Sequence, residues 1–193
     1  MTLPLFPLDT VLFPGCNLDL QLFEPRYLDM LSACLKRGEG FGVVTLLEGS
    51  EVGQAAAAFS GIGCEALIRD WRQQPNGLLG IRVQGGRRLR VDSSSVQRDQ
   101  LTLGEVCWLQ EGSDAPLGDE HEDLQQLLQV LVDHPLVAAL DMTAPVHSRG
   151  ALADRLAYLL PFDNTRKLRL LECLDPRERL ELLDAWLEAL QQE

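Results

Sequence analysis

The sequence predicts an α+β protein in which strands and helices occupy different parts of the chain. Residues 17–23 alternate between apolar and polar side chains, and this period of two is typical of a strand with one buried face. From residue 119 onward the apolar residues recur at spacings of three and four, as in amphipathic helices. Residues 112–118 form a polar, proline-containing link between the two regions. Strands and helices that are segregated in this way are typical of the α+β class.

One helix is predicted within the strand-rich region. Glu24 and Pro25 are suited to begin it, because proline in the first turn loses no hydrogen bond and an acid near the amino end favours the helix dipole. Gly38 is expected to end it. One apolar face is expected to contain Tyr27, Leu28, Leu31, Cys34 and Leu35.

The remaining strands are predicted from apolar runs and turn residues. The sequence Gln-Pro-Asn-Gly at residues 74–77 is a turn signal, so the strands on either side should form a hairpin. Gly85 and Gly86 are expected to turn the chain again, after which Arg88 and Arg90 should point outward. An apolar strand is predicted at the start of the opening stretch, residues 3–31, and further strands cover residues 17–23, 41–47, 60–71, 78–84, 87–92 and 101–111.

Four helices are predicted after the link. Asp119, Ser148, Asn164 and Asp175 are the expected residues at their amino ends. Prolines end the first two helices, at His134-Pro135 and at Pro161. The expected buried face of the last helix contains Leu180, Leu183, Leu187 and Leu190.

The opening stretch is more specific as a string than as separate elements. Within residues 3–31, LPLFPLDTVLFPG followed by LFEPRYLDML resembles the start of the amino-terminal, substrate-binding domain of Lon proteases. It is most similar to stand-alone bacterial proteins that carry this domain without the protease. The resemblance continues through FGVV, EVG, GIGCEALI and GLLGIRVQGGRRLRV, and it reaches DPRERLELL at residues 175–183. It therefore covers nearly the whole chain.

The resemblance implies a more detailed fold and a function. Residues 1–115 would form a PUA-like domain, a small and partly closed β-barrel with one early helix, and residues 116–193 would form a helical subdomain, a C-terminal bundle. The implied function is that of a non-catalytic module that binds exposed or unfolded protein segments. Its partners would be polypeptide clients or a protease.

The sequence contains no pattern that indicates an enzyme. Complete Lon proteases use an ATPase motor and a Ser-Lys dyad, but this sequence has no phosphate-binding G-x-x-x-x-G-K-[ST] motif. Its two lysines, Lys36 and Lys167, do not lie in a serine-nucleophile setting. Residues 61–66 match the G-x-G-x-x-A pattern, but no helical period follows, as a dinucleotide site would require. We therefore expect neither catalysis nor a cofactor.

Metal and disulfide chemistry are also not indicated. The three histidines, at positions 121, 134 and 147, are scattered, and the five cysteines are widely spaced without a C-x-x-C pair. Buried thiols in a reducing compartment are the favoured interpretation, and a cytoplasmic location follows from it. No stretch approaches the roughly 20 apolar residues that a membrane span needs.

The charge of the chain bears on its partners. A formal net charge of −12 disfavours nucleic acid and anionic membrane. The basic cluster Arg87, Arg88 and Arg90 nevertheless makes an RNA-binding PUA-like protein the alternative function. A regulatory partner of a Lon-type protease is a further alternative. The sequence does not fix the oligomeric state, and it allows a homodimer.

Candidate peptide-binding residues are Phe23, Arg26, Tyr27 and Trp71, since the FEPRY segment and the Trp71 hairpin are the least easily explained surface features. For each residue a structural role competes with binding. Tyr27 fits the core, and Arg26 fits an ion pair with Glu24.

Overall fold

The structure, a computed structural model, describes residues 1–75 and 77–191. The chain divides into two compact units, Met1–Leu109 (unit 1) and Gln110–Glu193 (unit 2). The strands lie in unit 1 and all helices but one lie in unit 2, so the α+β class is confirmed. The division falls between residues 109 and 110, whereas the sequence predicted it between 115 and 116.

The described part of unit 1 contains six strands and one long helix. The strands are β1 (Thr2–Leu8), β2 (Asn17–Leu22), β3 (Phe41–Glu48), β4 (Ala58–Gln73), β5 (Leu79–Val96) and β6 (Thr102–Trp108). The helix α1 spans Pro25–Arg37, between β2 and β3. It ends as predicted at Gly38, whose left-handed φ of 65° lets its N–H cap the last turn.

The sheet is held together by β5. The strand order is β2-β5-β4-β3-β1-β6, and β5 also pairs with β6. The pairings therefore run from β5 through β4, β3, β1 and β6 and return to β5. Strands β1 and β3 are parallel, and the other pairs are antiparallel. Within the described residues β2 pairs with β5 alone, so it lies outside this circuit.

The turn predicted at Gly85 and Gly86 is wrong, because β5 continues through both residues. The register with β4 shifts here: Cys64 pairs with Arg88 and Ala66 pairs with Gly85. A bulge of this kind bends a strand without ending it.

Gly85 is required by the close approach of another backbone segment. The N–H of Gly15 donates to the carbonyl of Gly85, and the N–H of Gly85 donates to the carbonyl of Cys16, both at 2.8 Å. A Cβ at residue 85 would lie 1.9 Å from the carbonyl oxygen of Phe13. Of the two glycines that suggested a turn, Gly85 is instead needed because residues 13–16 pack closely against its backbone.

The predicted hairpin between β4 and β5 is confirmed. In the turn, Gly77 has a φ of 84° and its N–H donates to the carbonyl of Gln74 over 2.9 Å. Asn76, the other residue of the predicted Asn-Gly signal, lies outside the described residues.

The core of unit 1 is built around aromatic rings beneath α1. The ring centroid of Phe6 lies 4.0 Å from that of Tyr27 and 5.9 Å from that of Phe41. The buried stripe of α1 includes Tyr27, Met30, Leu31 and Cys34. Leu28 and Leu35, which the sequence assigned to the same face, are exposed because they flank this narrow stripe.

Unit 2 contains the predicted helices and one short additional helix in its described part. They are α2 (Glu122–Asp133), α3 (Pro135–Ala138), α4 (Arg149–Leu159), α5 (Asn164–Glu172) and α6 (Pro176–Gln191). Ser148 caps α4 as predicted, since its side chain accepts from the N–H of Ala151. Two caps differ: Asp163 caps α5 in place of Asn164, and Asp119 lies in a single 3-10 turn before α2. The side chain of Leu190 lies outside the described residues.

The predicted link at residues 112–118 is attached to unit 2. The N–H of Gly112 donates to the carbonyl of Leu174 over 2.8 Å. Asp114 accepts from the N–H of Gly150 at the amino end of α4 over 3.0 Å. Polar residues that looked like a linker thus satisfy backbone groups at helix ends.

A buried arginine connects three parts of unit 2. Arg179 of α6 is 0% exposed. It donates to Glu111 over 2.8 Å and to the carbonyl of Cys173 over 3.0 Å, and its Nε lies 3.5 Å from Asp154. Removing it would leave buried negative charge without compensation.

We expect Arg179→Ala to lower the free energy of unfolding by about 3–5 kcal/mol, because one partner of a buried pair is lost. Arg177→Ala, two residues earlier in α6, removes an exposed pair with Glu181 and should change it by less than about 0.5 kcal/mol. Urea unfolding of the two variants measures the difference. Equal effects would show that the buried pair is not important for stability.

We expect Gly85→Ala to destabilise unit 1 by about 3 kcal/mol or more, because the added methyl group overlaps a backbone carbonyl that cannot rotate away. Gly61→Ala in β4 is the matched control, since a Cβ there meets nothing within 4 Å. Thermal unfolding of both variants is the measurement. A Gly85→Ala protein as stable as the control would contradict the close approach.

Candidate functional site

Exposed apolar side chains gather around one depression on unit 1. Trp71 is 58% exposed, Phe23 is 51% exposed and Leu28 is 36% exposed. The depression has a volume of about 350 Å³. We call it the aromatic patch, and it is lined by Leu22, Phe23, Leu28, Trp71, Gln73, Gly77, Leu78 and Leu79.

The fold brings the aromatic patch together from three places in the chain. Leu22 pairs with Leu79, and Leu79 pairs with Gln73, so β2, β5 and β4 lie side by side here. Phe23 follows the buried Leu22 directly, and its side chain is exposed at the end of β2. Leu28 comes from the start of α1.

The aromatic patch is electrically neutral. None of its lining residues is ionisable, although 24% of the chain is charged and the net charge is −12. Exposed aromatic side chains beside a depression can anchor a binding partner. A partner can bury it without removing water from a charged group.

A second depression continues from the aromatic patch along β2. It has a volume of about 160 Å³, and Leu22 and Phe23 line both depressions. We call it the edge groove. Its lining residues are Phe6, Leu8, Asp19, Leu20, Gln21, Leu22, Phe23, Glu24, Tyr27, Glu51 and Val52.

Arg26 and Tyr27 are buried, in contrast to Phe23 and Trp71. Arg26 is 4% exposed, and its Nη2 lies 3.0 Å from Glu24. The guanidinium carbon lies 4.6 Å from the centre of the Tyr27 ring. Burial raises the pKa of the Tyr27 hydroxyl, so this side chain stays neutral. The structure therefore brings Phe23 and Trp71 together at the surface and places Arg26 and Tyr27 in the protein interior.

The Glu24–Arg26 pair also fixes two loops beside the edge groove. Nη1 of Arg26 donates to the carbonyl of Gln100 over 2.9 Å. Glu24 accepts from the N–H of Gly53 over 3.1 Å. Gln100 in turn accepts from the N–H of Ala55 over 3.4 Å. This arrangement gives Arg26 a structural role.

A third depression, of about 470 Å³, lies on the other side of Trp71 and is charged. Arg82 donates to both carboxylate oxygens of Asp19, each over 2.7 Å. These hydrogen bonds lower the pKa of Asp19 below its ordinary value, so the carboxylate stays ionised.

The three arginines of the alternative site do not form a common basic surface. The outward orientation predicted for Arg88 is wrong, since its side chain is 1% exposed. Arg87 is held by both carboxylate oxygens of Glu65 and lies 3.8 Å from the ring centre of Trp108. Arg90 donates to Asp92 over 2.8 Å. The exposed charges are therefore compensated locally.

Metal and thiol chemistry have little support within the described residues. No group of three or more His, Cys, Asp or Glu residues there could hold a metal ion. All five cysteines have free thiols. Burial raises the pKa of Cys34 and of Cys173, and a hydrogen bond to Asp92 raises that of Cys107, so their thiolate forms are disfavoured. Across residues 1–75 and 77–191, no helix is both long and apolar enough to span a bilayer.

Sequence reasoning missed Leu28 and the hairpin residues Leu78 and Leu79 as parts of the site. The position of Leu28 in the helix was a signal that could have identified it. Leu28 lies beside the buried stripe that contains Tyr27 and Leu31, so its side chain can be exposed. The contribution of the hairpin depends on the pairing of β2 with β5, which local sequence patterns do not specify.

Comparison with solved structures places this fold among amino-terminal domains of Lon proteins. The Lon N-terminal domain protein from Xanthomonas campestris superposes with a TM-score of 0.78 at 37% identity, over 96% of this chain and 98% of that one. The N-terminal domain of the Mycobacterium avium complex Lon protease superposes with a TM-score of 0.64 at 22% identity, over 96% and 97% of the two chains. The second likeness concerns the fold alone.

Sequence comparison defines the family. Residues 2–189 match the model of the ATP-dependent protease La (Lon) substrate-binding domain, and the chain belongs to this family. The Lon protease of Xanthomonas oryzae pv. oryzae is 27% identical over 191 residues, which are 95% of this chain. The chain spans only 22–24% of the length of the curated Lon relatives that it matches.

We expect Arg26→Met to lower the free energy of unfolding by about 2 kcal/mol, because Glu24 and the carbonyl of Gln100 lose their donor. Arg37→Met in the same helix removes a 67% exposed side chain and should have an effect below about 0.5 kcal/mol. Urea unfolding compares the two variants. A fully stable Arg26→Met protein would contradict the structural role of Arg26.

Proposed function

We propose that this chain is a non-catalytic binding module that holds exposed apolar segments of unfolded client proteins. The observation that carries the proposal is the aromatic patch. Unfolded chains differ from folded ones chiefly in the apolar side chains that they expose, and a neutral apolar depression is complementary to such side chains.

Family membership supports the same function. The matched family is a substrate-binding domain, and the Lon relatives are proteases of which this chain covers about a quarter. The part that is shared with them matches a substrate-binding domain, so client binding is the activity that we propose for this chain.

We assign different roles to the four candidate residues. Phe23 and Trp71 would contact the client, since both are exposed at the aromatic patch. Tyr27 would form part of the floor of the edge groove, and Arg26 would hold the neighbouring loops in place. Aromatic side chains suit this task because they bury a large area and have few rotatable bonds.

The proposal includes a PUA-like barrel, a helical bundle and a cytoplasmic location. The circuit of strand pairings from β5 back to β5 supports a small PUA-like β-barrel in unit 1. Fully buried leucines on three helices of unit 2, Leu152, Leu170 and Leu183, support a helical bundle. The five free thiols fit the reducing cytoplasm.

We expect Trp71→Ser to weaken binding of a reduced, carboxymethylated unfolded protein by about tenfold, because the patch loses its largest exposed apolar side chain. Phe23→Ser should have a similar effect. Fluorescence anisotropy of the labelled unfolded protein, titrated with the full chain, gives the dissociation constants.

Leu47→Ser is the matched control for this prediction. Leu47 is 58% exposed, as Trp71 is, and it does not line the aromatic patch. Its substitution should leave the affinity within about twofold of the unmodified chain. Equal losses in all variants, or no binding by the unmodified chain, would contradict the proposed function.

A further inference from the structure

We propose that the client segment binds as an additional β-strand on the free edge of β2. This inference rests on the proposed function and specifies its substrate class. The bound segment would be extended, with apolar side chains at alternate positions and with lysine or arginine in preference to acidic residues.

The pairing of the strands leaves an edge that can accept such a segment. Strand β2 is at the end of the strand order, and within the described residues its pairing is with β5. An unpaired strand edge presents a row of backbone N–H and C=O groups, which is a template for another strand.

The edge groove lies along this edge. Its lining includes the consecutive residues Asp19, Leu20, Gln21 and Leu22 of β2. Of the described residues, none of β5 lines this groove, whereas the third depression is lined by β2 together with Gly80, Ile81 and Arg82 of β5. The edge groove therefore lies on the side of β2 that faces away from β5.

The opposite wall of the groove comes from β1. Strand β6 pairs with β1 only at Thr2–Leu5, whereas Phe6 and Leu8, further along β1, line the edge groove. These two side chains and Tyr27 are at most 7% exposed, so only their edges reach the groove. An extended segment between β2 and β1 would therefore find backbone partners on one side and apolar contacts on the other.

The aromatic patch continues the groove at the end of β2. Leu22 and Phe23 line both depressions, so one extended chain can occupy them together. Strand β2 is six residues long, and six residues of extended chain span roughly 20 Å. A segment of about six to eight residues would thus pair with β2 and place a terminal apolar side chain against Trp71.

Charge complementarity selects the polar residues of the segment. The groove contains three carboxylates, Asp19, Glu24 and Glu51, and no basic residue lines it. Arg82 forms an ion pair with Asp19, and Arg26 forms one with Glu24. Glu51 accepts a hydrogen bond from the N–H of Asp9, so its negative charge remains beside the groove. The net charge of −12 acts in the same direction, so a lysine-bearing segment is favoured and a glutamate-bearing one is repelled.

The test uses a labelled eight-residue peptide that alternates valine and lysine, titrated with the full chain. Two further peptides are N-methylated at alternate residues, one at the odd positions and the other at the even positions. Successive N–H groups of a strand point to opposite edges, so each peptide loses the N–H donors of one edge. We expect one N-methylated peptide to bind at least about tenfold more weakly than the parent, because it cannot pair with β2. The other should bind within about twofold.

The charge preference is tested with glutamate in place of lysine in the peptide. The glutamate peptide should bind at least about tenfold more weakly, and Glu51→Lys should reduce this difference. Glu48→Lys changes the net charge equally but does not line the groove, so it should leave more of the difference in place.

The outcomes separate this inference from the proposed function. Equal binding of the parent and both N-methylated peptides would overturn strand addition while leaving the aromatic patch as a binding surface. Binding of no peptide and of no unfolded protein would overturn both.

Discussion

One long strand holds unit 1 together, and it can do so only because residue 85 has no side chain. Strand β5 pairs with β2 and β4 along its first half and with β4 and β6 along its second half. Where its partners change, the backbone of residues 13–16 hydrogen-bonds to Gly85 at a distance that no Cβ would permit. Because β5 leaves β2 at this point, β2 is at the end of the strand order, and its last residue lines the aromatic patch.

The proposed client site consists of side chains that depart from the usual burial pattern. Phe23 and Trp71 are exposed although burial of each would stabilise a fold by about 1.5–3 kcal/mol. Next to them, the buried Arg26 and the half-buried Glu24 connect α1 to two loops. Binding of the proposed client would cover apolar surface that folding leaves exposed.

Local signals in the sequence predicted much of this fold. The alternation in residues 17–23, the start of α1 at Pro25 and its end at Gly38 depend on neighbouring residues, and all three are confirmed. The hairpin between β4 and β5 and the cap at Ser148 are confirmed for the same reason.

Features that depend on distant residues could not be predicted in this way. Gly85 and Gly86 have the composition of a turn, and only the approach of residues 13–16 shows that Gly85 serves another purpose. Arg88 follows an in-out pattern that fails because the bulge opposite Glu65 shifts the register of β5. The link at residues 112–118 looks solvent-exposed until its hydrogen bonds to the ends of the helices are seen. Among the candidate residues, the core position expected for Tyr27 and the ion pair of Arg26 with Glu24 are confirmed. That Phe23 and Trp71 share one depression depends on the pairing of β2, β5 and β4, which local sequence patterns do not specify.

Amide hydrogen exchange of the full chain, with and without a saturating unfolded client, tests the central claim most directly. If the client pairs with β2 and covers the aromatic patch, exchange should slow by about tenfold or more within residues 18–23, and the indole N–H of Trp71 should also be protected. Residues 110–193 should be unchanged. Slowing confined to residues 110–193, with none in β2 or at Trp71, would contradict the account.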